Sequence, residues 1–141
     1  MERMSESAVT AMDHQFLSQK PGIQLIKAGT YEKIELNNVL SIPALKSQII
    51  DVPISPLEKP LTIGYFSMQK SEEFEFLYTY LEVKVIIKGQ IIVRDEQGNK
   101  YVGEAGDVFI FTPETKVIFD AESDGDAIYT AHRLPEPTFL N

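Results

Sequence analysis

From Ile23 to Leu134 short apolar runs alternate with clusters of Gly, Pro, Asn and Asp, and no run shows the 3.6-residue period of a long helix. Residues 23–27, 31–36, 47–54, 61–68, 75–80, 82–87, 90–95, 100–102, 107–111, 116–120 and 127–134 have the lengths and side chains of strands. Between them, 28–30, 95–99, 103–106 and 122–126 supply the glycines and Asn or Asp side chains that tight connections need. Pro53, Pro56 and Pro60 crowd one segment, which predicts an edge or a crossing loop there. So many short strands at regular spacing predict an all-β sandwich or small barrel. Ahead of them, Val9, Met12 and Phe16 recur at roughly helical spacing and stop at Lys20-Pro21-Gly22. The organisation expected is an N-terminal arm over 1–20, either a mobile terminus or one short helix, and a single barrel domain over 21–141.

The segment from Phe74 to Gly89, FEFLYTYLEVKVIIKG, departs from ordinary strand patterning. A strand alternates its faces, so Phe76, Tyr78, Tyr80, Glu82, Lys84 and Ile86 share one side. Leu77, Thr79, Leu81, Val83, Val85 and Ile87 share the other. If the apolar set packs against protein, the first set brings a carboxylate, an ammonium and two phenols into one interior. Buried charges are costly unless they are paired or used, so this segment is where function is sought.

Composition narrows the classes. A chain of 141 residues with 43% hydrophobic and 24% charged residues has room for one core. The absence of cysteine excludes disulfides, thiolate metal sites and cysteine nucleophiles. A formal charge of -8 with scattered basic residues argues against nucleic acid and against anionic membranes. No apolar stretch reaches transmembrane length and residues 1–16 do not read as a secretory signal, so a cytoplasmic location is expected.

Glu82, separated by six residues from Gly89, and then the downstream run Gly106-Asp107-Val108-Phe109-Ile110-Phe111-Thr112-Pro113, resemble the two-motif signature of the cupins. The resemblance implies a double-stranded β-helix, or jelly-roll barrel, whose hairpins turn at the glycines. Residues 60–137 resemble more closely the EutQ cupins of ethanolamine utilisation. Gly64 and Phe66 fit that family's preceding strand; Phe74, Phe76, Thr79, Tyr80, Glu82 and Val83 fit its central one; Tyr129 and Pro135 fit its closing one. Leu81 and Lys84 stand where that family tends to carry acidic residues, and Glu114-Thr115 replaces an expected glycine.

Metal-dependent cupins would place histidines at Phe76 and Tyr78 (or Glu75 and Leu77) and at Val117 or Ile118. None is present; the only histidines are His14 and His132. No metal and no cofactor are therefore expected, although Glu82, Tyr80 and an inward His132 would make a poor three-ligand set. The candidate site is Glu82 as acid–base or acceptor, with Phe76, Tyr78, Tyr80, Lys84 and His132 as ligand-binding residues. Two readings of Glu82 and Lys84 stand side by side: a pocket for a small polar or anionic metabolite, and an ion pair spanning the barrel mouth. An enzyme is the alternative, a lyase, isomerase or the acetate-kinase-like activity attributed to EutQ proteins. No glycine-rich phosphate loop and no Ser-His-Asp set supports phosphoryl or acyl transfer. The apolar stripe Leu77, Leu81, Val83, Val85 and Ile87 suits a homodimer, and with it a scaffold in a metabolic complex or microcompartment.

Overall fold

The structure, a computed structural model, describes residues 16–56 and 58–141. Nine antiparallel strands follow in chain order: β1 Ile34–Glu35, β2 Ser47–Ser55, β3 Leu61–Met68, β4 Phe74–Tyr78, β5 Glu82–Arg94, β6 Lys100–Glu104, β7 Val108–Phe111, β8 Thr115–Phe119 and β9 Asp124–Ala131. They are ordered β1-β2-β3-β9-β5-β8-β4, and β6 and β7 also pair with β5. The helical elements described are a turn at Leu36–Val39 and two 3₁₀ turns at Leu17–Gln19 and Pro137–Phe139. Residues 1–15 of the expected arm lie outside the described residues; Phe16 is buried.

β5 is the hub of the nine-stranded sheet. Its first half pairs with β9 on one edge and with β7 on the other. Its second half pairs with β6 and β8. The runs 82–87 and 90–95, expected as separate strands, are thus one strand that bends. The bend lies at a register shift between Ile86 and Lys88, followed by Gly89 at φ 65°. Gly89 is a kink rather than the hairpin turn expected of it: a Cβ there would collide with the carbonyl oxygen of Asp124. The expected hairpin at 95–99 does form. The Asp95 carboxylate accepts the backbone N–H groups of Gln97 and Asn99 and the Asn99 amide.

The strand expected at 23–27 is absent. Ile23 and Leu25 are exposed, no strand lies alongside them, and the Gln24 side-chain amide bonds back to the Leu17 carbonyl. The proline-rich segment is an edge, as its composition predicts. β2 runs through Pro53, but β1 covers β2 only at Gln48 and Ile49, so the missing Pro53 N–H breaks no ladder with β1.

The core is aromatic. Phe74 stacks on Phe119 at 4.8 Å, Phe66 lies 5.5 Å from Phe119, and Tyr78 stacks on Phe111 at 4.6 Å. Gly64 on β3 leaves room for the Tyr129 ring opposite it, whose hydroxyl donates to the Ile50 carbonyl at 3.0 Å and to Asp51. A Cβ at Gly64 would overlap both the Tyr129 hydroxyl and the Ile50 carbonyl oxygen. Gly64→Ala is expected to lower the unfolding free energy by about 1–3 kcal/mol in urea denaturation, because neither neighbour is free to give way.

Candidate functional site

β4 ends at Tyr78 and β5 starts at Glu82, joined by residues 79–81, and the period-two alternation carries across the connection. Phe76, Tyr78, Tyr80, Glu82 and Lys84 therefore all face one cavity, lined also by Leu36, Leu40 and Phe139. The other parity faces out, with Leu77 51% and Ile87 49% exposed. Most of the interior is filled by aromatic rings, and the cavity is about 30 Å³. That is room for about two water molecules or the end of a small ligand. A wider depression shares Leu40, Phe76, Tyr80, Arg133 and Phe139 with it and forms an outer vestibule.

Three polar groups converge inside. The Tyr78 hydroxyl donates to Glu82 Oε2 at 2.9 Å, and Lys84 Nζ lies 3.3 Å from the same oxygen. Lys84 and Glu82 are almost fully enclosed, their side chains 3% and 4% exposed. Around the ammonium, the ring centres of Phe66, Phe119 and Tyr129 lie at 4.1, 5.1 and 5.2 Å. The rings hold a cation by their quadrupoles but supply no acceptor. Burial lowers the Lys84 pKa below its ordinary value, and Glu82 offsets part of that shift. Burial, reinforced by the Glu82 charge, raises the Tyr78 phenol well above its usual range, so it stays a donor. Tyr80 is pushed up to about 12 by burial, against the pull of Arg133.

His132 does not join this set. It is exposed, and its backbone N–H bonds to the Leu81 carbonyl. On β9 and the residues after it the inward parity is Tyr129, Ala131 and Arg133, so Arg133 enters the site instead. Its Nη atoms grip Asp51, with Nη2 at 3.0 Å from Oδ1, and its guanidinium carbon sits 5.2 Å from the Tyr80 ring centre. Burial works against the Arg133 charge, but Asp51 outweighs it and raises the pKa. Arg133 Nε is buried without a hydrogen-bond partner. The sequence reading missed both Arg133 and Asp51. The signal was available: Asp51 is a lone charge in the apolar run 47–54, as Glu82 and Lys84 are in theirs, and period two separates Arg133 from His132.

A metal does not fit the donors present. Phe76 and Tyr78 occupy the cavity wall, Val117 is buried apolar core, and His132 is outside. Among the described residues no group of three or more His, Cys, Asp or Glu side chains comes together. The Lys84 ammonium beside Glu82 would moreover repel a divalent cation.

A curled antiparallel sheet whose buried Glu82 and Lys84 lie on the strand of the first motif, β5, is that of a cupin. Its fold recurs in an RmlC-like cupin from Shewanella frigidimarina NCIMB 400, with TM-score 0.55 and 17% identity over 82% of this chain and 93% of that one. It recurs also in the ethanolamine utilisation protein Q of Salmonella typhimurium LT2, with TM-score 0.65 and 18% identity over 80% of this chain and 86% of that one. The EutQ protein of Clostridium difficile aligns with TM-score 0.63 and 18% identity over 77% of this chain and 78% of that one. No curated protein matches the sequence. The profile of the ethanolamine utilisation protein EutQ matches residues 1–134, and the chain belongs to that family.

Lys84→Met leaves the Glu82 carboxylate buried with only a phenol for company. It is expected to cost about 3–5 kcal/mol of stability at neutral pH. Adding Glu82→Gln is expected to recover most of that loss in a double-mutant cycle read by urea denaturation, because the two groups are coupled.

Proposed function

We propose that this EutQ-family cupin holds a small polar, acceptor-rich metabolite at the mouth of its barrel, without a histidine metal site. The observation that supports this most is the unpartnered Arg133 Nε in the wall shared by cavity and vestibule. A buried donor without an acceptor costs about 1–3 kcal/mol, more when charged, and a ligand's oxygen or a water would relieve it. Protons outnumber acceptors at the mouth. Lys84, Arg133 and Tyr80 offer them, while the Asp51 carboxylate is taken up by Arg133, Tyr129 and the Glu136 backbone N–H. A carboxylate, hydroxyl or carbonyl on the ligand complements that imbalance. The enzymatic form of the same reading makes Glu82 the general acid–base, with Lys84 or Tyr78 steadying the anion.

A second observation favours self-association. Val108 and Ile110 are 54% and 65% exposed, and they lie in register with Val85 and Val83. The result is an apolar band on the outer face of β5 and β7, fit for a second copy of the chain. Assembly of this kind would also suit a role within a larger metabolic complex.

Native mass spectrometry of gently purified protein is expected to reveal a low-mass adduct that leaves on unfolding, and Tyr80→Phe, which removes one of the donors, is expected to weaken its retention by about tenfold. No adduct, together with no thermal shift across short hydroxy and oxo acids, would remove the ligand reading. For the outer face, Ile110→Asp is expected to convert a dimer into a monomer in light scattering; a wild-type protein that is already monomeric would sink that reading.

A further inference from the structure

We propose that Lys84 is the nucleophile of a covalent site, condensing with the carbonyl carbon of a short aldehyde that carries a polar tail. The inference rests on the reading of the cavity as a ligand site and names the chemistry of what enters it.

Lys84 is the single buried lysine of the chain; the other nine are exposed or, at Lys116, partly so. Its amine borders the cavity, 3.3 Å from a carboxylate able to take and return its proton. Burial favours the free amine, the form that attacks. The space beside it, about 30 Å³, admits about two non-hydrogen atoms, which suits an aldehyde carbon and oxygen and excludes a bulky ketone. The rest of the molecule would extend toward the vestibule, where Arg133 Nε has no acceptor.

The step balances. Glu82 takes one proton from the ammonium, and the amine lone pair forms the N–C bond as the C=O π pair moves to oxygen. That oxygen takes a second proton from the nitrogen. Glu82 then returns its proton to the carbinolamine hydroxyl, which leaves as water while the nitrogen pair closes the C=N bond. Ammonium, carboxylate and aldehyde become iminium, carboxylate and water. The positive charge stays where the ammonium was, beside Glu82 and among Phe66, Phe119 and Tyr129, so the product needs no new counter-charge.

The test uses full-length protein with substoichiometric glyoxylate and cyanoborohydride, followed by peptide mapping. Carboxymethylation of Lys84 is expected at least about tenfold faster than at any exposed lysine, slower in Glu82→Gln, and slowed by excess glycolate, which keeps the carboxylate but lacks the carbonyl. Lys84→Arg, which keeps the charge, is expected to leave only slow labelling of exposed lysines. Label spread over exposed lysines with Lys84 spared overturns the proposal. If glycolate or glyoxylate still raises the melting temperature in that case, the binding reading survives alone; if neither does, both readings fall.

Discussion

Everything at the mouth of this barrel depends on how Asp51 is neutralised. Its carboxylate is fully enclosed on β2 and accepts from the Arg133 guanidinium, the Tyr129 hydroxyl and the backbone N–H of Glu136. An isolated carboxylate there would be strongly unfavourable; with these donors it becomes a fastener. It ties the segment after β9 to a strand about eighty residues earlier in the chain and brings Phe139 down over the cavity. Arg133 is thereby held over the Tyr80 ring, 5.2 Å from its centre.

The second buried pair, Glu82 with Lys84, is of a different kind. Asp51 is saturated by its donors. Lys84 has one carboxylate oxygen and three aromatic faces, and Glu82 Oε2 is shared between an ammonium and a phenol. Partners so few leave proton-bearing groups open to exchange with something that enters. The cation next to Glu82 is supplied by the chain itself.

Much of this was legible from residues alone. The turn at 95–99, the edge character around Pro53 and the inward set Phe76, Tyr78, Tyr80, Glu82 and Lys84 all follow from local rules, and those rules held. Failures came where a local pattern had no partner to realise it. Residues 23–27 alternate like a strand, yet no strand lies beside them, so Ile23 and Leu25 stay exposed. Gly89 reads as a turn, but continued pairing of β5 with β9 on both sides of it makes it a bend. His132 drew attention because histidine is chemically versatile, while Arg133 beside it did the work at the rim.

What the sequence determined by itself was parity: which residues share a face, and that two charges on one face of an aromatic strand demand an explanation. Parity is local, because successive side chains on any extended backbone point opposite ways. Only the tertiary structure decided which of the two faces is interior along β9, where register against β5 turns Arg133 in and His132 out. It alone joined Asp51 to Arg133 and packed aromatic rings around a cavity of about 30 Å³ beside Glu82 and Lys84. Those outcomes depend on which distant strands meet and on how completely their side chains fill the space between them, and neither is written in any single run of residues.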